Sequence, residues 1–470
     1  MNDVAALERR PSPGQPRPYD FPRFERSGLS NGLSIVQAHV PGRPLLQAQL
    51  LVRGDSGGGA SSEEAALAGV TALAARAMSE GTAARDAVAF VEAAERLGAS
   101  LGASAGWDNL AVQVEVPRTR LPEALALLVE MALQPSFPER EVERLREERL
   151  NDLKQTMADA RRRVERLFPA VLYADAAPYA RLLGGSEETV ARLDRAVLTV
   201  RHGRQMRPSA STLIVCGDLD GVSVDDIAAA AFAGWESEAD PRTPLPRDGE
   251  PDVPRGRRRV VLVDRPGAPQ SEIRVGHVGT PRRISDYHAL VVMNALLGGL
   301  FNSRLNRLLR EERGYTYGVH SDFDMRRAAG PFAVRCAVES EATAPAIADI
   351  MGELARIRDV AVDPEELDAA RDYLVGVFPL RFETSAQVAG ALAGMVIHGL
   401  PDDELDRYRP TVAAVSAESV LQAARDHLDP DAASIVVVGD LARFEAQLRD
   451  AAYAEVEIIR DEGFVGSAQA

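Results

Sequence analysis

The chain has 470 residues, 46% of them hydrophobic, 26% charged and 5% aromatic, enough for two or more domains with sizeable cores. Its 54 basic and 70 acidic residues leave a formal charge of −16, which argues against nucleic acid or an anionic membrane surface as the main partner. Two cysteines, Cys216 and Cys336, cannot build a disulfide framework, and no apolar run reaches the roughly 18–20 residues of a membrane span. A cytoplasmic globular protein is expected.

Residues 1–25 are polar and Pro-rich, with no apolar core of a secretory signal, and read as a flexible arm. Alternating strands follow at Gly32–Val40 and Leu45–Arg53, then helix-period runs at Glu63–Met78 and Arg85–Leu97. A hairpin is expected from Ala99–Ala105 and Leu110–Val116, a helix over Leu121–Leu133 and a charged helix over Glu139–Lys154. The half closes on the apolar strand Leu213–Leu219, LIVCGDL. Residues 237–258 mix Pro, Gly and charge without periodicity, the signature of a linker.

The second half repeats the first. Strands are expected at Arg259–Val263, Glu272–Val278, Tyr317–Asp324 and Phe332–Val338, and helices at Ser285–Leu297, Ala344–Ile357 and Pro364–Val377. Its closing strand, Ile435–Leu441, reads IVVVGDL, so Gly217 and Gly439 end matching strands. Pro138 and Pro364 each sit at the start of a helix, at nearly the same offset. Matched order and spacing indicate duplication. The expected fold is α+β, two homologous halves, each a mainly antiparallel sheet covered by helices. The domains are residues 26–236 and 259–455, with a tail at 456–470.

Two blocks bear on chemistry. Gly69–Thr82 reads GVTALAARAMSEGT, and Leu297–Gly318 reads LGGLFNSRLNRLLREERGYTYG. With the duplicated halves and the Gly-Asp strand ends, they make residues 26–449 resemble the pitrilysin/insulinase peptidases. That family's inverted zinc motif is H-x-x-E-H, and it reads approximately G-x-x-H-x-x-E-H-x-x-x-x-G-T where the first block stands. The match puts Ala72 and Arg76 in the two histidine slots and Ala75 in the glutamate slot. Asp152 is the best match to the third ligand. Alanine has no lone pair, a guanidinium repels a cation, and one Asp does not hold catalytic zinc, which takes three protein ligands. The seven histidines include no pair three to five residues apart, which excludes a replacement zinc site on one helix. No metal is expected in this chain. Taken alone, Gly69–Met78 is an ordinary packed helix.

In the second block the resemblance makes Arg310 and Tyr317 the pair that grips a substrate carbonyl and stabilises its oxyanion across a chamber, a role suited to a guanidinium and a phenol. Taken alone, Arg304, Arg307, Arg310 and Arg313 are also consistent with a solvated helix face carrying local ion pairs. Tyr315 and Tyr317 alternate, so one is expected in the core and the other at the surface. The segment Ala103–Val116 resembles the family's substrate-pairing hairpin, but structural pairing anchored by Trp107 is the simpler expectation, and Gly54–Ser62 reads as a flexible loop.

The resemblance implies a non-catalytic subunit of a heteromeric zinc metallopeptidase, inactive alone. Its partner would be a homologous chain carrying H-x-x-E-H and the zinc, and its substrate a peptide or unfolded protein. The alternatives are a purely structural homologue and a peptide-binding module without a role in proteolysis.

Overall fold

The structure, a computed structural model, describes residues 14, 16–54, 58–236 and 252–460. Strands β1 (Phe24–Gly28), β2 (Ser34–His39), β3 (Leu45–Arg53), β4 (Ser100–Ala105), β5 (Asn109–Pro117) and β6 (Ser211–Gly217) form one sheet, ordered β1-β2-β6-β3-β5-β4. Strands β7 (Val260–Asp264), β8 (Gln270–Val278), β9 (Val319–Phe323), β10 (Pro331–Glu339), β11 (Ser434–Gly439) and β12 (Val456–Ile459) form the other, ordered β12-β7-β11-β8-β10-β9. Five strands correspond one to one. In each sheet the closing strand runs parallel to one neighbour and antiparallel to the other. The architecture is α+β in two homologous halves.

Only the outermost strand breaks the repeat. β1 pairs antiparallel with β2, whereas β12 pairs parallel with β7. The second domain therefore runs through Ile459, past the expected boundary at 455. The described end of the arm, residues 16–25, also departs from expectation. Tyr19 stacks on Phe382 and meets Phe378 edge-on, and Phe21 is buried. Most of the expected linker, 237–251, lies outside the described residues. Its end is docked: Pro254 bridges to Tyr173, and the Ala329 N–H donates to Asp252 at 3.0 Å.

Helices α1 (Val70–Ala77), α2 (Ala87–Arg96), α3 (Leu121–Leu133), α4 (Glu139–Ala158), α5 (Ala160–Leu172), α6 (Arg195–Gln205) and α7 (Val224–Ala231) belong to the first half. The second half contributes α8 (Tyr287–Asn294), α9 (Thr343–Asp359), α10 (Pro364–Val377), α11 (Ser385–His398), α12 (Glu404–Ala413) and α13 (Ala417–His427). Most helices cover one face of their own sheet, forming the two main cores.

Two helices cross over. α5 lays Val164, Phe168, Val171 and Leu172 on Val261, Val263, Val436 and Val438 of the second sheet. α11 lays Val388, Leu392 and Met395 on Val36, Leu51 and Ile214 of the first. Each half thus covers the other's remaining face. This explains why β6 and β11 are apolar without alternation and buried along their whole length. Arg274 of β8, only 2% exposed, pins the exchange by donating to Glu165 of α5 at 2.7 and 3.0 Å.

α1 starts seven residues later than its apolar pattern suggests. Gly69 adopts φ 95°, and a Cβ there would lie 2.7 Å from the Gly184 backbone. The buried Glu63 carboxylate accepts from the N–H groups of Gly69 and Thr71 at 2.8 and 2.7 Å, satisfying the helix start from outside. Pro364 is the first residue of α10, whereas Pro138 has an extended ψ and precedes α4.

Candidate functional site

α1 packs against α4, and this places three of the four positions in the matched zinc face around one cavity. Ala72, Arg76 and Asp152 line a space of about 300 Å³ together with Arg149 and Gly184. Ala75 is buried in the core beneath it. Asp152 accepts from Arg149 at 2.6 Å and from Arg162, which begins the next helix. Arg162, then Arg149, hold its carboxyl below the usual carboxylate range. Arg76 points to Glu148, 3.0 Å away.

Guanidinium groups therefore take the acid's charge where a cation would sit, and the donor set does not fit zinc. Among the described residues no group of three His, Cys, Asp or Glu side chains stands close enough to hold a metal. Nor do the histidines replace the motif. His202 meets the Ala132 carbonyl, His277 sits between Val278 and Asp429, and His427 pairs with Asp286. His288 Nε2 and His398 Nδ1 are buried and make no hydrogen bond.

The second site is built by a helix of unusual pitch. Over Arg307–Glu312 the turns widen, and the N–H of Arg313 reaches the carbonyl of Leu308 at 3.0 Å. Arginines three apart consequently leave the helix in different directions. Arg304 is buried and donates twice to Glu366, each at 2.8 Å. Arg307 is exposed, and Arg313 turns to Asp349 at 3.1 Å. Arg310 lies over the Phe301 ring, 3.6 Å from its centre, and donates to Glu311 at 2.6 Å. A single solvated arginine face is not what forms.

Asn306 fixes the loop that follows. Its side chain donates to the carbonyls of Leu300 and Val319 and accepts from the Val319 N–H at 3.1 Å. Sequence reading passed over Asn306, because a loop-pinning amide has no periodicity to betray it. The pinned loop tucks Tyr315 against the core and leaves Tyr317 95% exposed. Arg310 and Tyr317 line one open cavity of about 620 Å³, with Phe301, His320 and Arg335.

The two sites meet at the start of α5. Arg162 reaches Asp152, and its neighbour Arg161, from the same turn, lines the Arg310/Tyr317 cavity. Glu63 is a further group that no motif signalled. Burial pushes its carboxyl up, while the Gly69 and Thr71 N–H groups and Arg201 pull it back. The hairpin tip is structural: Trp107 packs edge-on to Tyr179 and carries the Arg326 guanidinium at 4.5 Å. The glycine-rich segment beside it, read as flexible, is docked from Gly58 onward, with Ser61 and Ser62 buried; residues 55–57 lie outside the described residues.

Two family models match the chain. One, described as Insulinase (Peptidase family M16), covers residues 55–184, and the other, described as Peptidase M16 inactive domain, covers residues 192–374, together about two thirds of the length. A Mycobacterium tuberculosis protein named an uncharacterized zinc protease is 27% identical over 420 residues, 88% of this chain and 93% of that one. A Helicobacter pylori protein named a non-peptidase homolog is 22% identical over 349 residues, 73% of this chain and 78% of that one. The crystal structure of a peptidase M16 inactive domain from Pseudomonas fluorescens matches with a TM-score of 0.80 at 24% identity, covering 88% of this chain and 98% of that one.

Proposed function

The chain belongs to the insulinase (M16) peptidase family, and from that membership we propose that it is a non-catalytic member that completes the site of a homologous, H-x-x-E-H-bearing partner. The partner brings the zinc and the attacking water. This chain brings Arg310 and Tyr317, whose planar guanidinium and phenolic hydroxyl donate to the carbonyl oxygen of a bound peptide as negative charge grows on it.

One observation carries the reading, a contrast within a single chain. The metal face is filled by Ala72 and Ala75, and its acid, Asp152, is bound to arginines. Meanwhile Tyr317 stands in solvent beside Arg310, with no packing role to account for its exposure. A tyrosine held out by a pinned loop at the mouth of a cavity is placed to meet something outside the chain.

The test is reconstitution. This chain and the H-x-x-E-H homologue from the same cell are purified separately, then mixed, and hydrolysis of a quenched fluorescent peptide is followed. Activity is expected only in the mixture, with zinc only in the partner. A partner fully active alone, or two chains that stay separate at micromolar concentration, refutes the proposal.

A further inference from the structure

The Arg310/Tyr317 cavity is basic, although the chain as a whole carries a formal charge of −16. Its lining sets Arg161, Arg274, Arg310, Arg335 and His320 against a single carboxylate, Glu272. Following each guanidinium to its partner shows which of them is spent. Arg274 donates to Glu165 and pairs with Glu272 at 3.3 Å. Arg335 pairs with Asp322, and Arg310 with Glu311. Among the described residues Arg161, alone of the four, meets no carboxylate. The acids around it are occupied. Asp159 accepts from the Arg162 N–H at 2.7 Å, Glu165 from Arg274, and Asp152 from Arg149 and Arg162. The Arg161 side chain is exposed, yet the helix that carries it is fixed. Val164 and Phe168 pack on the second sheet, and Glu165, one turn beyond Arg161, is held by Arg274. The first half therefore brings an unspent cation to a cavity that the second half otherwise builds.

From this juxtaposition we infer that Arg161 binds a carboxylate of the peptide whose carbonyl meets Arg310 and Tyr317. The inference rests on the peptide-gripping reading and adds a substrate class to it: peptides with an acidic side chain or a free C-terminus near the gripped bond. A guanidinium presents a planar fork of N–H donors that matches the two oxygens of a carboxylate. A neutral peptide leaves that fork in water, and a basic one meets the like charge of the lining. The cavity, about 620 Å³, is roughly two or three extended residues across, so the carboxylate belongs close to the gripped bond. The acidic exterior does not cancel this choice. Its field is screened beyond about 8–10 Å at physiological salt, and the groups at the cavity then decide what stays bound.

The test measures binding to the isolated, full-length chain, without the partner, in low salt at about pH 8, where histidines are neutral. Three dye-labelled Gly/Ser peptides are compared by anisotropy. One carries a single Glu and an amidated C-terminus, the second Gln in its place, and the third Gln with a free C-terminus. A carboxylate-bearing peptide should bind about tenfold more tightly than the amidated Gln peptide, and whichever of the two does so identifies the source. Arg161→Gln should erase the difference and Arg161→Lys should keep most of it. Arg140→Gln removes the same charge from an exposed position on α4 and should bind as wild type does. Equal binding of the three peptides overturns the inference, as does no measurable binding at about 1 mM peptide. So does a difference that survives Arg161→Gln, or one that Arg140→Gln erases equally. The gripping reading stands or falls separately, on turnover by the Tyr317→Phe variant in the assembled enzyme: wild-type turnover there removes that reading and leaves a measured carboxylate preference in place.

Discussion

On the proposed role the Tyr317 hydroxyl, 95% exposed, acts on a partner's substrate and not within the chain, and this makes it separable from structural residues. Tyr317→Phe should lower kcat of the assembled enzyme about 10²–10³-fold, the cost of one lost oxyanion donor, roughly 2.7–4 kcal/mol. Because Tyr317 is 95% exposed, its melting temperature should not move. Arg310→Ala should raise KM as well, since its grip is already made on the ground-state carbonyl. Arg313→Ala, on the exposed pair with Asp349, serves as the comparison and should stay within about twofold. If Arg310→Ala and Arg313→Ala give equal rates, Arg310 has no special place. Zinc gives a second measurement: after a mild chelator wash, elemental analysis of the isolated chain should find no stoichiometric metal. The buried histidines predict how stability follows pH. Burial holds His202, His277 and His288 below the ordinary imidazole value, and His398, near Asp108, Arg282 and Arg327, down to about 4. Below pH ~6.5 the unfolded chain binds protons that the folded one refuses, so stability falls as pH drops from about 6.5 towards 4. Thermal melts between about pH 7.5 and about pH 5 should show that slope, and His398→Gln should make it shallower; an unchanged slope rejects the assignment.

Among the elements, those whose apolar residues keep one period came through in the sequence almost unchanged. β3, α3 and α10 have the expected limits, and β6 and β11 end at the matched glycines Gly217 and Gly439. What the sequence hid was partnership. α5 reads ARRRVERLFPAVL, a helix whose stripe of Val164, Phe168, Val171 and Leu172 names no sheet, since a stripe specifies burial but not against what. β12 was missed because four half-buried residues in an edge strand carry little alternation. Arg310 and Tyr317 were singled out by the family resemblance, but side-chain directions were not legible: the widened turn over Arg307–Glu312 decides which arginine faces the cavity, and hydropathy does not report helix pitch. The crossover makes a measurable claim. Leu392 belongs to the second half but is buried on the first sheet. Leu392→Ala should cost about 2–5 kcal/mol, and near-ultraviolet signals from Trp107 and Trp235 of the first half should be lost in the same denaturant transition as the far-ultraviolet signal. A first half that melts separately and unshifted would contradict the packing.

At the scale of the molecule, the proposed assembly should bury an interface of roughly 2,000 Å² or more, as long-lived complexes do, and light scattering of the mixed chains should report the summed mass. No helix of the described residues is long and apolar enough to cross a membrane. The crossed helices α5 and α11 have a consequence of another kind. Each half carries the wall that the other lacks, so the peptide connection between Glu236 and Asp252 is not what holds the two halves together. Two separate polypeptides, ending at Glu236 and beginning at Asp252, should each expose one bare sheet face when alone. Produced together, they should find each other through those faces and behave as a single particle, as interlocked hands do without a cord between the wrists.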